Sequence, residues 1–226
     1  MTKVSTFIER VRGKLIVSCQ ALEDEPLHGA QIMARMAIAA QQGGAVAIRA
    51  NSPQDIAAIR QAVDLPIIGL YKDGDTGIYI TPTRQHALEI VRAGAAIVAL
   101  DATNRPRADG ESLREIIASI HEQNALVLAD VSTLAEAQIA QDAGADLVAP
   151  TLAGYTDYSR QLDIPDFDLI RRMVTELTIP VIAEGRISTP AQARQALDCG
   201  AVAVVVGSAI TRPQLITATF ADALKD

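Results

Sequence analysis

Short apolar segments alternate with helical segments along the whole chain, and this alternation restricts the possible folds more than any other feature. Each apolar segment is rich in Val, Ile and Leu and too short to form a helix of its own. Such runs are typical of parallel strands in a sheet that is covered on both faces. Eight strands are predicted: "LIVS" (15–18), "AVAI" (45–48), "PIIGL" (66–70), "AIVAL" (96–100), "ALVLA" (125–129), "DLVA" (146–149), "PVIA" (180–183) and "AVVV" (203–206).

The segments between these strands carry helix signals. In the segment 52–63, Ser52 is placed as an N-cap, Pro53 follows in the first turn, and Asp55 adds an acidic group to that turn. Further helices are predicted at 29–42, 81–93, 112–123, 132–143, 166–177 and 188–199, with a short first helix at about 4–12 and a last one within 212–226.

One helix-to-strand junction occurs four times, as "QGGAVAI" (42–48), "AGAAIVAL" (93–100), "AGADLVA" (143–149) and "CGAVAVVV" (199–206). Its glycine stands where a helix ends and the chain reverses. The spacing of about 50 residues corresponds to two strand–helix units. We therefore predict an α/β protein, a closed (β/α)8 TIM barrel formed by residues 1–226 as a single domain, with the first helix closing the barrel floor.

Composition narrows the class of partner. The 226 residues carry a formal net charge of -7, which disfavours nucleic acid and anionic membrane surfaces as partners. No apolar run approaches the roughly 18 residues of a membrane span, and the N-terminus lacks the apolar core of a signal peptide. Cys19 and Cys199 are far apart and are predicted to be free thiols. These features predict a cytoplasmic protein that acts on a small molecule.

Polar residues follow the predicted strands at the barrel mouth, where chemistry collects in this fold. The residues just past each strand are Gln20, Arg49, Lys72, Asp101, Asp130, Thr151, Glu184 and Gly207. The alternative is that strand exits are polar only because they meet solvent. Contact with solvent would account for one or two charged exits, but it accounts poorly for five, namely Arg49, Lys72, Asp101, Asp130 and Glu184.

The last two strand exits predict a phosphate site. Glu184-Gly185-Arg186 follows the seventh strand, and Gly207-Ser208 follows the eighth and precedes a short helix. These two loops form the recurrent phosphate site of such barrels, because glycines let main-chain N–H groups approach the anion. The phosphate-binding residues are predicted to be Gly185, Arg186, Gly207 and Ser208; the alternative is that the glycines only make tight turns.

Lys72 and Glu184 are the candidate catalytic residues, since the third and seventh strands face each other across an eight-stranded barrel. Burial and a nearby cation such as Arg49 would lower the pKa of a lysine, which could then act as a general base or form a Schiff base. Alternatively, the two residues are an ion pair at the rim of the barrel.

No metal site and no nucleotide motif is predicted. The three histidines, His28, His86 and His121, do not cluster with carboxylates at ligand spacing. The expectation is a site without metal or other cofactor.

Several segments resemble the N-acylglucosamine-6-phosphate 2-epimerase family, and the resemblance covers essentially the whole chain. They are "VSCQALEDEPLH" (17–28), "GGAVAIRANS" (43–52), "IYITPT" (78–83), "ALDATNRPRADG" (99–110), "GYTDY" (154–158), "IPVIAEGRI" (179–187) and "VVVGSAITRP" (204–213). The resemblance implies a phosphate-binding (β/α)8 barrel that interconverts N-acetylmannosamine 6-phosphate and N-acetylglucosamine 6-phosphate in sialic acid breakdown. It also implies a homodimer that needs no cofactor.

By resemblance, the family's catalytic lysine falls on Lys72 and its glutamate on Glu184. Substrate contacts fall on Gln20, Arg49, Asp130 and Arg212. The loop "KDGDTG" (72–77) matches less well, which puts contacts from that loop in doubt. Two other classes stay open: a Schiff-base lyase or aldolase acting on a sugar phosphate, and a catalytically silent sugar-phosphate-binding barrel.

Overall fold

The computed structural model describes residues 2–107 and 110–225. Both ends of the predicted domain (residues 1 and 226) and residues 108–109 of the 99–110 motif lie outside the described residues. The described strands are β1 Leu15–Cys19, β2 Ala47–Asn51, β3 Ile67–Leu70, β4 Ile97–Asp101, β5 Leu126–Asp130, β6 Leu147–Ala149, β7 Ile182–Ala183 and β8 Ala203–Val206. The described helices are α1 Lys3–Val11, α2 Ala30–Gln42, α3 Pro53–Ala62, α4 Arg84–Ala93, α5 Leu113–Glu122, α6 Leu134–Ala143, α7 Phe167–Glu176, α8 Pro190–Asp198, α9 Ser208–Thr211 and α10 Pro213–Asp222.

The strands form one parallel sheet that closes on itself. Their order is β6-β5-β4-β3-β2-β1-β8-β7. The two ends of this series meet at a parallel bridge between Val148 and Val181, where the N–H of Val148 donates to the carbonyl of Pro180 at 3.2 Å. The predicted (β/α)8 barrel is therefore confirmed, with a seam between β6 and β7.

Side-chain alternation along each strand divides the core into two layers. Inward residues such as Ile68, Ala99 and Leu128 form one buried cluster inside the barrel, and α1 contributes Phe7 and Val11 to it. Outward residues pack against the surrounding helices. Because residues i and i+2 share a face, each strand's last inward residue points into the mouth of the barrel.

Close helix packing explains the glycine in the middle of β3. A Cβ atom on Gly69 would lie 2.3 Å from Cγ2 of Ile90 in α4 and 2.8 Å from Cδ1 of Ile56 in α3. A side chain here would push both helices away from the sheet. Glycine therefore lets α3 and α4 rest on β3.

One predicted strand boundary is wrong in a way that affects the site. The second strand was predicted to end at residue 48, before Arg49, but β2 continues to Asn51. Arg49 therefore lies inside the strand and points into the barrel. In the described part of the chain, no helix is long and apolar enough to cross a membrane.

Candidate active site

The mouth of the barrel encloses a cavity of about 1630 Å³. It is lined by nine of the predicted site residues, namely Gln20, Arg49, Lys72, Glu184, Gly185, Arg186, Gly207, Ser208 and Arg212. The tenth, Asp130, is fully buried behind Arg49. The fold thus brings all of these residues to one place.

Arg49 holds the two carboxylates at the base of the cavity. Its guanidinium donates to Asp130 at 2.5 and 3.1 Å, and its Nη1 lies 3.0 Å from Oε2 of Glu184. The Arg49 and Asp130 side chains are 1% and 0% exposed, so this pair is removed from solvent. A bidentate pair of this kind fixes both planar groups and therefore the charge beside Glu184.

Thr151 completes this group, although sequence analysis noted it only as a strand exit. Its hydroxyl donates to Oδ1 of Asp130 at 2.5 Å. The alternation of side chains along β6 could have identified Thr151 as a site residue. Leu147 and Ala149 point into the barrel, and Thr151 is the next residue on the same face.

The main chain of Lys72 is fixed on both sides. Its N–H donates to Oδ1 of Asn51 at 2.8 Å, and the residue forms an antiparallel bridge with Ile80. Within residues 2–107 and 110–225, Lys72 has no ion-pair partner within 4.0 Å, so it is not the rim ion pair considered as an alternative. Asn51 was missed because the strand was predicted to end before it.

Burial lowers the pKa of Lys72 to about 8, with further lowering by the charges of Arg49 and Arg212. Burial has the opposite effect on Glu184 and raises its pKa to about 7, against the attraction of Arg49. Near neutral pH, both groups can therefore gain or lose a proton. Paired titratable groups with opposite shifts in one cleft are typical of acid–base catalysis.

The exits of β7 and β8 present main-chain N–H groups to the cavity. Gly185 has φ +110°, which favours glycine, and Gly207 lies close to Ser18. Among the described residues, the N–H groups of Gly185, Arg186 and Gly207 donate to no other protein group. They are available to an anion.

Arg186 was predicted to bind phosphate, but its guanidinium is directed away from these N–H groups. It donates to the carbonyls of Ala153 and Gly154 and lies over the ring of Tyr155, with 4.4 Å between its Cζ and the ring centroid. The side chain is therefore bound to the loop after β6. Sequence alone contains no signal for this direction.

Arg212 and Gln20 line the cavity beside the β8 exit, where Nη1 of Arg212 donates to the hydroxyl of Ser208 at 3.4 Å. Arg212 forms a two-point ion pair with Glu25 at 2.8 and 3.0 Å, a partner that sequence analysis missed because the two residues are far apart in the chain. The amide of Gln20 donates to the hydroxyl of Ser18 at 2.8 Å. Its Oε1 and the Nε of Arg49 are buried without a hydrogen-bond partner among the described residues. Such atoms indicate where a ligand supplies the missing partners.

Comparison with known proteins identifies the family. The model of the family described as "Putative N-acetylmannosamine-6-phosphate epimerase" matches residues 33–226. Relatives described as "Putative N-acetylmannosamine-6-phosphate 2-epimerase" include one from Clostridium perfringens, 51% identical over 96% of this chain and 100% of the relative. Another, from Cutibacterium acnes, is 49% identical over 98% of this chain and 100% of the relative.

Solved structures agree with the sequence relatives. The N-acetylmannosamine-6-phosphate 2-epimerase from Clostridium perfringens superposes with a TM-score of 0.94, at 50% identity over 96% of each chain. A thiamine phosphate pyrophosphorylase from Pyrococcus furiosus matches with a TM-score of 0.60 at 20% identity and shares the fold alone. On these matches, the chain belongs to the N-acetylmannosamine-6-phosphate epimerase family.

Proposed function

We propose that this protein is a cofactor-independent carbohydrate 2-epimerase that inverts C2 of N-acetylmannosamine 6-phosphate to give N-acetylglucosamine 6-phosphate. One observation carries the proposal: a lysine with its pKa lowered to about 8 shares a cavity with a carboxyl whose pKa is raised to about 7. Two groups that exchange protons near neutrality are what inversion by deprotonation requires. The names of the relatives supply the substrate.

Inversion at C2 begins with loss of the proton on that carbon. In the open-chain sugar, C1 is an aldehyde, so the electron pair left at C2 is delocalised onto the C1 oxygen as an enolate. Neutral Lys72 takes the C2 proton, and return of a proton to the opposite face gives the epimer. The lowered pKa matters because only the uncharged amine is a base.

The developing negative charge on the C1 oxygen needs stabilisation. Arg49 is held by Asp130 and has a buried Nε without a protein partner among the described residues, which makes it a preorganised donor. Glu184, with its pKa near 7, assists ring opening or moves a proton at the sugar oxygens. Gln20 and Arg212 contact the sugar from the exits of β1 and β8.

The 6-phosphate is assigned to the exits of β7 and β8. The N–H groups of Gly185, Arg186 and Gly207 are supplemented by Ser208 at the start of α9. For Arg186 we retain only the main-chain N–H as a phosphate donor, because its guanidinium is bound to the loop after β6. Phosphate binding supplies remote energy that positions the reacting end.

The cellular setting follows the same proposal. We place the protein in the cytoplasm, in the breakdown of amino sugars and sialic acid, and expect a homodimer. Exposed apolar side chains on α10 support a partner surface there, since Leu215 is 49% exposed and Phe220 is 71% exposed.

Proton NMR of N-acetylmannosamine 6-phosphate in D2O tests the proposal. Wild type should form the gluco epimer with deuterium at C2, Lys72→Ala should not, and the matched surface variant Lys14→Ala should behave as wild type. Full activity in Lys72→Ala would refute the lysine assignment, and no conversion by wild type would refute the function. Reductive trapping with borohydride separates the Schiff-base alternative, since the proposed reaction forms no imine at Lys72.

A further inference from the structure

Glu136, in the first turn of α6, accepts an unusual number of hydrogen bonds for one carboxylate. Its Oε2 accepts from the N–H and hydroxyl of Ser132 at 2.8 and 2.7 Å and from the N–H of Thr133 at 3.0 Å. Its Oε1 accepts from the N–H of Asn104 at 2.9 Å and the hydroxyl of Tyr158 at 2.6 Å. The residue is 2% exposed. One buried side chain therefore contacts the segments that follow β4, β5 and β6.

A second helix in the same chain shows which of these bonds helix capping requires. The sequences "STLAE" (132–136) and "STPAQ" (188–192) occupy equivalent positions at the starts of α6 and α8. In α8, a single oxygen of Gln192 accepts from the N–H and hydroxyl of Ser188 and from the N–H of Thr189. An amide therefore satisfies the cap, and the second carboxylate oxygen of Glu136 serves another purpose.

That second oxygen binds the long connection after β6, here called the β6 loop (residues 150–165). Besides Tyr158, the loop reaches the same group through Thr156, whose hydroxyl donates to that of Ser132 at 2.9 Å. At its other side, the loop is held by Arg186 through two carbonyls and the Tyr155 ring. The β6 loop is thus bound from both sides of the β6–β7 seam.

The first residues of the β6 loop belong to the active site. Thr151 donates to Asp130, which ends β5 two residues before Ser132. Thr151 is also among the groups that lower the pKa of Glu184. Displacement of the β6 loop from the β5 exit would therefore change the polar contacts around both carboxylates.

We propose that Glu136 is a positioning residue for the epimerase, which holds the β4 exit and the β6 loop against the β5 exit and thereby keeps Thr151 on Asp130. It is not itself a proton carrier, since hydrogen bonds from Tyr158, Asn104 and Ser132 lower its pKa despite burial. Glu136 does not line the cavity. It contacts Ser132 and Tyr158 and therefore acts through them rather than on the substrate. The inference rests on the proposed function.

Glu136→Gln tests this proposal, because the amide oxygen can keep the cap as Gln192 does. Its NH2 group then faces the N–H of Asn104, so that bond is lost, and the bond with the Tyr158 hydroxyl can persist only with its direction reversed. The matched control is Glu115→Gln: Glu115 caps α5 through Ser112 in the same way but has no bond to another loop among those described. Tyr158→Phe removes only the hydrogen bond from the β6 loop to Glu136 and leaves the cap and the Thr156 contact in place.

We expect Glu136→Gln to lower kcat by about tenfold and Tyr158→Phe to lower it by a smaller factor, with KM changed less than kcat. The pH profile should also shift: the ionisation of Glu184, which faces Arg49, Asp130 and Lys72, should move to higher pH as Thr151 loosens. A purely structural role would lower the melting temperature without moving this profile. Unchanged kcat and an unchanged profile in folded Glu136→Gln would overturn the proposal.

Failure of the proposed function would be visible separately. If wild type does not turn over the sugar phosphate, the epimerase proposal fails, and hydrogen exchange still tests the positioning of the loop. Amides of residues 151–161 should exchange faster in Glu136→Gln than in wild type or Glu115→Gln. Equal exchange in all three proteins would overturn the inference about Glu136.

Discussion

Arg49→Met is expected to destabilise the protein strongly, although it replaces a charge with an apolar side chain of similar length. The change leaves Asp130 and Glu184, whose side chains are 0% and 12% exposed, without their shared cation. Removing one member of a buried ion pair costs about 3–5 kcal/mol. For a chain of this size, each kcal/mol corresponds to about 2–4 °C, so the melting temperature should fall by about 6–20 °C.

The loss should depend on pH in a defined direction. In wild type, the pKa of Glu184 is about 7, and loss of Arg49 raises it further, since Arg49 is the largest influence that lowers it. The folded state then binds this proton more tightly than the unfolded state, so the stability of the variant falls as pH rises towards that pKa. At pH 8, one unit above the wild-type pKa, the raised pKa costs at most about 1.4 kcal/mol, and it costs nothing at pH 5.5, where the carboxyl is protonated in both proteins.

Urea-induced unfolding at pH 5.5 and pH 8 measures both quantities. The matched control is Arg194→Met, which removes an exposed ion pair with Asp198 and should change stability by less than about 1 kcal/mol. A loss in Arg49→Met no larger than in this control would refute the argument. A larger loss at pH 5.5 than at pH 8 would refute the assigned role of Glu184.

Three further outcomes are expected. The pH dependence of kcat/KM should be bell-shaped, with apparent pKa values near 7 and 8 belonging to Lys72 and Glu184 as a coupled pair; a flat profile from pH 6 to 9 would contradict this. Thr151→Val should lower the free energy of unfolding by about 1.5–3 kcal/mol in urea titrations, because it removes the 2.5 Å bond to buried Asp130. Gly69→Ala should cost about 1–3 kcal/mol or more by overpacking, which equal urea midpoints for variant and wild type would disprove.

The barrel was predictable because its signals are local. Apolar strands of four or five residues, N-caps such as Ser52 and the repeated glycine junctions each specify a neighbouring element, and eight such units have few ways to pack. The strand exits followed from the same pattern, since Lys72 and Glu184 continue the inward series of Leu70 and Ile182.

The contacts that complete the site depend on residues distant in the chain. Arg49 is accommodated inside the barrel because Asp130 and Glu184, contributed by other parts of the chain, pair with its charge. The direction of the Arg186 guanidinium is set by carbonyls of the β6 loop. Glu136 is hidden for a different reason, since its sequence context is that of an ordinary helix cap.

The seam of the barrel has a consequence for how the protein opens. β7 contains only two residues, and the contact between β6 and β7 is a single bridge between Val148 and Val181, whereas β4 and β5 pair over five positions. The sheet is thus a ribbon of seven junctions that pair over two to five positions, closed by one junction that is a single bridge; β7 pairs with β8 over only two positions. Local unfolding should begin there, at the strand that carries Glu184, so the barrel's stability against opening and its catalytic geometry depend on the same few bonds.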